Sequence, residues 1–272
     1  MIIIIPAAAA LLIWIVIENR LLLLVRRDKL TDREDSIRAV QISDLHRRRF
    51  GKDQCRITRL TAAQKPDIIF VTGDLVSRKE REFSEKQRFL RELCRIAPVY
   101  MIYGNHEQSL REEYRSVFLR TVEDTDVILL RNESRTAEIR GRKISIYGFE
   151  SDYSVYKKPE QRHPYRDLST VSGKDVEKEL GKASTEGDVI LLSHNPLFAS
   201  SYAEWGADIT FSGHVHGGVV RLFGKGMLSP ERRFLPEYTK GVYRIGDMKL
   251  CVSAGLGKLR LFDPPEINVY DL

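Results

Sequence analysis

Pro66-Asp67-Ile68-Ile69-Phe70-Val71-Thr72-Gly73-Asp74 is the stretch from which the rest of the chain can be read. Four β-favouring apolar residues, 68–71, run into a glycine turn that delivers one carboxylate, Asp74. It arrives at the carboxyl end of a strand, where open α/β sheets collect their chemistry. The same grammar, an apolar run followed by a short turn of ligand-bearing residues, recurs four times. The turns read Ser43-Asp44-Leu45-His46, Gly104-Asn105-His106-Glu107, Ser193-His194-Asn195-Pro196 and Gly213-His214-Val215-His216-Gly217-Gly218. Five of the six histidines lie in these turns, which is too concentrated for ordinary turn residues. The sixth, His163, falls in an aperiodic stretch, 151–172, that reads as a surface excursion or lid, and His163 itself reads as a loop histidine.

Outward from Asp74, residues 37–42 form a strand ending at Asp44 and His46, 55–64 have helical character, and the 66–74 strand follows. That is a β-α-β unit whose parallel strands bring the first two turns together. Residues 80–94 form a charged amphipathic helix with Phe83, Phe89, Leu90 and Leu93 on its buried side. A strand at 98–103 delivers 104–107, and 109–119 are helical. Strands are expected at 127–130, 136–139 and 143–147, then a helix at 174–180. Strands at 188–192 and 208–212 lead to His194 and to the His214, His216 pair. A hairpin, 242–245 with 249–253, and a late strand, 267–270, complete the pattern.

A chain of 272 residues suffices for one large α/β domain, taken as 37–272. The net charge of +6 favours an anionic partner. Three scattered cysteines exclude a disulfide framework and a thiolate metal site. Residues 1–17 are almost wholly apolar and read as a single-pass transmembrane helix, with the bilayer as a partner. The segment 18–36 is either juxtamembrane or the first strand. The basic residues Arg20, Arg26, Arg27 and Lys29 follow the apolar run, which places the catalytic domain on the cytoplasmic side.

The turns supply carboxylate, imidazole and carboxamide donors, a set that suits borderline divalent ions such as Mn, Fe or Zn. Two such ions repel one another and need a shared anionic ligand, for which Asp74 is the natural bridge. Asp44, His46 and His216 can complete one ion; Asn105, His194 and His214 complete the other. Two ions about 3.5 to 4 Å apart hold a bridging hydroxide and clamp a phosphoryl group for in-line attack. His106 is left to steady developing charge or to protonate the leaving oxygen.

The series Asp-x-His, Gly-Asp, Gly-Asn-His-Glu, a lone His after a strand, and Gly-His-x-His resembles the calcineurin-like metallophosphoesterases in order and approximate spacing. The resemblance implies two packed β-sheets flanked by helices, a dinuclear centre on the seven residues Asp44, His46, Asp74, Asn105, His194, His214 and His216, and a catalytic His106. The apolar start, the loop at 221–230 and the ending Leu261-Phe262-Asp263-Pro264-Pro265-Glu266-Ile267 resemble the membrane-associated branch. That branch includes phosphodiesterases related to YkuE and YaeI and hydrolases of UDP-2,3-diacylglucosamine. Ser77 stands where many members carry an acidic residue, and Val219 where that branch often has Gln. The run Arg47-Arg48-Arg49 either draws an anionic head group toward the metals or is a solvated loop. The expected function is a membrane-anchored phosphohydrolase that cleaves a phosphodiester or pyrophosphate, with a lipid or lipid-linked nucleotide as substrate. A nuclease is the second reading, disfavoured because basic and aromatic residues are not interleaved, so no nucleic-acid partner is expected. A metal-binding scaffold without catalysis is the third.

Overall fold

The computed structural model describes residues 4–156, 170–230, 234–258 and 260–272. His163 and most of the predicted lid lie outside them. In chain order the strands are β1 (Leu24–Lys29), β2 (Arg38–Ile42), β3 (Ile68–Thr72), β4 (Val99–Ile102) and β5 (Ile128–Leu129). There follow β6 (Glu133–Ile139), β7 (Arg142–Phe149), β8 (Asp188–Ser193) and β9 (Ile209–Ser212). A short ribbon of β10 (Arg221–Leu222) and β11 (Lys225–Gly226) precedes β12 (Gly241–Ile245), β13 (Met248–Val252) and β14 (Glu266–Asp271). They make two six-stranded mixed sheets, ordered β1-β14-β2-β3-β4-β5 and β12-β13-β9-β8-β7-β6.

Strand β3 shows why the sheets stack. All five of its residues are buried, and successive side chains point to opposite faces. Ile68 and Phe70 enter a core shared with Ile190, Phe211 and Tyr270, between the two sheets. Ile69 and Val71 enter a second core on the outer face of the first sheet. That face is covered by the helices α2 (Cys55–Ala63), α3 (Ser84–Cys94) and α5 (Glu112–Glu123); α1 (Ile4–Arg20) precedes them and the one-turn α4 (Asn105–Gln108) lies between α3 and α5. The other sheet is covered by α6 (Gly173–Leu180) and α7 (Ala199–Trp205), over Val189, Leu191 and Leu250. The result is helices, sheet, sheet, helices, with β2, β3 and β4 mutually parallel and β7, β8 and β9 likewise.

Residues 18–36 contain β1, which pairs parallel with β14 from Leu24 against Glu266 to Lys29 against Asp271. The expectation of a transmembrane helix is corrected, because no helix among the described residues is long and apolar enough to cross a membrane. Helix α1 has 17 residues, roughly 25 Å at 1.5 Å per residue against a hydrocarbon core of about 30 Å. Its last turn is also committed elsewhere. Glu18 is fully buried and accepts hydrogen bonds from the backbone N–H groups of Phe262, at 2.8 Å, and Asp263. Asn19 exchanges hydrogen bonds with the backbone of Arg260, at 2.7 and 3.0 Å. The single-pass membrane localisation and the cytoplasmic placement argued from it do not stand.

Candidate metal centre and active site

The five turns leave parallel strands at one edge of the stacked sheets. Strands β2, β3 and β4 lead into 43–46, 73–74 and 104–107; β8 and β9 lead into 193–195 and 213–216. The backbone bends sharply there. Asp44, His46, Asp74, His214 and His216 all have φ between 50° and 70°, a left-handed conformation that costs a non-glycine residue about 1–3 kcal/mol. Strain in five of the eight expected site residues shows how firmly the surrounding structure holds this arrangement.

Donor atoms converge as a result. Asp74 Oδ2 lies 3.4 Å from His194 Nε2, 3.8 Å from His46 Nε2 and 3.9 Å from His106 Nε2. Asp44 Oδ1 is 3.3 Å from His216 Nε2 and 3.9 Å from His194 Nε2, and the Nε2 atoms of His46 and His216 are 3.4 Å apart. Three sets of donors lie within 4.8 Å of one another and could hold a metal ion: Asp44 with His46 and His216, Asp44 with Asp74 and His194, and His46 with Asp74 and His106. Asp74 is shared by two of the sets. His214 falls outside all three, but its ring centroid is 5.0 Å from that of His194 and its backbone N–H donates to the Asp44 carboxylate. Asn105 is buried in the neighbouring turn.

Two observations show that these residues fit divalent cations. The Asn105 Oδ1 and His194 Nε2 atoms are buried without a hydrogen-bond partner among the described residues, an arrangement that native structures avoid unless another ligand is bound. The imidazoles are also oriented from behind. The Thr72 carbonyl, 2.7 Å away, accepts from His194 Nδ1, and the Val76 carbonyl faces His46 Nδ1 at 3.3 Å, so both rings turn Nε2 inward. Burial alone would raise the Asp44 and Asp74 carboxyls, but neighbouring imidazoles hold both below the usual range. His194 is pushed up to about 10, its burial outweighed by Asp74 and Asp44. Burial drives His106 down to about 4 despite Asp74.

Two contributors had no role assigned from the sequence, although Glu107 stands in the 104–107 turn. Glu107 is fully buried; one carboxylate oxygen accepts from the backbone N–H groups of Asp74 and Gly104, at 2.9 and 2.8 Å, and the other from Val76 at 3.0 Å. It clamps the Asp74 turn to the 104–107 turn. Arg78 places Nη2 3.1 Å from His106 Nε2, and nothing about an isolated arginine four residues past Asp74 marks it in advance. The arginine run divides. Arg48 is buried and donates to the carbonyls of Leu256, Gly257 and Asn19, at 3.2, 2.7 and 2.5 Å. Arg47 and Arg49 are exposed, with Arg49 3.1 Å from Glu85.

Residues 37–218 match the calcineurin-like phosphoesterase family, a span that contains all eight expected site residues. The chain belongs to that family. As a calcineurin-like phosphoesterase it is a metal-dependent phosphoesterase. It is similar to the metallophosphoesterase YkoQ of Bacillus subtilis, 26% identical and covering 86% of this chain and 82% of that one. It is also 26% identical to the UDP-2,3-diacylglucosamine pyrophosphatase LpxG of Chlamydia muridarum, over 96% of this chain and 93% of that one. The phosphodiesterase YaeI of Escherichia coli is 24% identical, with 77% and 71% covered. Among solved structures, TT1561 of Thermus thermophilus shares the fold at a TM-score of 0.52 and 11% identity, over 81% of this chain and 90% of that one.

Proposed function

We propose that this phosphoesterase hydrolyses a phosphodiester or pyrophosphate bond in a lipid or a lipid-linked nucleotide, with Asp44, His46, Asp74, Asn105, His194, His214 and His216 as the metal ligands. The observation that carries the reading is Asp74, whose Oδ2 faces three imidazole nitrogens at 3.4 to 3.9 Å. A pair of divalent cations bound there supplies a nucleophile from water and neutralises phosphoryl charge. Asp74, buried between the two sheets' turns, is the ligand the pair would share. His106, neutral in this environment and with Arg78 beside it, faces the same carboxylate and is placed to steady the charge that develops at the leaving oxygen. Water adds across the bond and two phosphate-bearing products result when a pyrophosphate is cut. The likeness to LpxG along nearly the whole of both chains supports a substrate such as UDP-2,3-diacylglucosamine.

The test is hydrolysis by the purified chain with Mn, followed on bis(p-nitrophenyl) phosphate and, by phosphorus NMR, on UDP-2,3-diacylglucosamine. Asp74→Asn is expected to lower turnover about 100-fold or more, and His106→Ala to lower kcat by about 100-fold with less effect on KM. Equal rates in the wild type and both variants would overturn the assignment. Cleavage of the chromogenic ester without the lipid nucleotide would overturn that choice of substrate.

A further inference from the structure

Beside the turns of the candidate site lies a groove of about 680 Å³ whose lining includes none of the eight expected site residues. One wall is apolar: Ile15 and Val16 of α1 face Val219, Val220 and Leu261 across it. The rim is cationic, with Arg20, Arg47, Arg49 and Lys258 all exposed. The groove borders the turns that carry His46 and His216. Arg47 directly follows His46, Val219 follows the turn that carries His216, and Gly257, next to Lys258, packs so closely on the His216 ring that a Cβ there would lie 3.2 Å from it.

The groove is also built in advance. The Leu261 N–H donates to the Val219 carbonyl at 3.0 Å, and the Arg221 N–H to the Leu261 carbonyl at 2.9 Å, so the two loops form one wall. Asn19 ties α1 to Arg260, and the buried Arg48 bridges Asn19 to Gly257. Arg48 and Arg260 spend their donors on backbone carbonyls and on Asp263, and Arg49 is paired with Glu85, which leaves Arg20, Arg47 and Lys258 on the rim to meet an anion. An apolar trough under a cationic rim complements a molecule with a hydrocarbon chain and an anionic head.

We propose that this groove receives the hydrocarbon chain of an amphiphilic phosphate ester while its phosphate sits at the Asp74 cluster. The inference rests on the phosphoesterase reading above and specifies which face of the site selects the substrate. Helix α1 thereby forms part of the substrate site.

The experiment compares p-nitrophenyl methyl phosphate with p-nitrophenyl octyl phosphate, both below micellar concentration, as a ratio of kcat/KM within each protein. In the wild type the octyl ester is expected to be favoured at least tenfold, the gain that about two buried methylenes supply. Val16→Asp and Val220→Asp are each expected to bring the ratio close to one, while Val242→Asp, on the remote strand β12, keeps it. A wild-type ratio near one, or a preference that survives both groove substitutions, would overturn the proposal. Calorimetric titration of the wild type with octyl phosphate and with methyl phosphate reads the groove without turnover or variants. Tighter binding of the octyl compound supports the proposal, and equal binding overturns it. Absence of metal-dependent hydrolysis of the methyl ester would instead sink the phosphoesterase reading, so the two failures are distinct.

Discussion

Gly104 is close to where the site is most tightly constrained. A Cβ there would lie 2.3 Å from Asp74 Oδ1 and 2.6 Å from the Asp74 backbone nitrogen, so Gly104→Ala must displace the Asp74 carboxylate, the proposed shared ligand. The expected outcome is a loss of apparent Mn affinity of about 10 to 100-fold, read from the Mn dependence of turnover. A second prediction concerns Glu150, which packs under the same turn and accepts from the Tyr103 N–H at 3.2 Å, with Arg131 3.3 Å away. Burial raises its carboxyl above the ordinary 4.5, against the pull of Arg131. The folded state therefore binds the proton more tightly than the unfolded one, and stability falls as pH rises from 4.5 through the folded value. Glu150→Gln keeps an acceptor for Tyr103 and removes that fall, so its urea midpoint is expected to gain on the wild type between pH 4.5 and pH 7. At this scale the sequence was informative where chemistry restricts residue type. Asp, Asn and His in glycine-bearing turns are legible because few other residues bind cations. Glu107 and Arg78 act through geometry that only the fold creates, and their types are common at any surface.

Elements were legible to the extent that their burial is uniform. Strands β3 and β8 are buried along almost their whole length and so read as plain apolar runs. Strand β1, Leu-Val-Arg-Arg-Asp-Lys, is only partly buried and carries four charges, so its pairing with β14 left no pattern to read. Helix α7 is seven residues without a capping side chain, too short for a period to emerge. Helix α1 was legible as a helix, but its role was not, because the partners of Glu18 lie 244 and 245 residues away. Glu18→Ala leaves the buried Asp263 N–H and the partly buried Phe262 N–H without their carboxylate and is expected to cost about 2 kcal/mol in urea denaturation. An unchanged midpoint would mean that the last turn of α1 is not held by that contact.

At the scale of the molecule, the site draws Asp44, Asp74 and Asn105 from the turns of the first sheet and His194, His214 and His216 from those of the second. Cations that need both sheets bind the folded chain far better than the unfolded one. Mn at about 100 times its dissociation constant is therefore expected to add about 2.7 kcal/mol of stability. Calorimetry with Mn and with EDTA checks this, and Asp74→Asn is expected to erase most of the difference. The two-layer architecture was anticipated from motif order, whereas the strand order was not, since nothing local places β14 between β1 and β2. That insertion governs how the protein assembles. Tyr270 on β14 donates to Gln41 on β2 across 229 positions, and β2 has no partner on that side until this very distant closure is made. Loop-closing entropy of that size slows renaturation. Refolding kinetics are thus expected to show early protection of the β2-β3-β4 amides from exchange, followed by late protection along β14, with catalytic competence returning only in the slower phase.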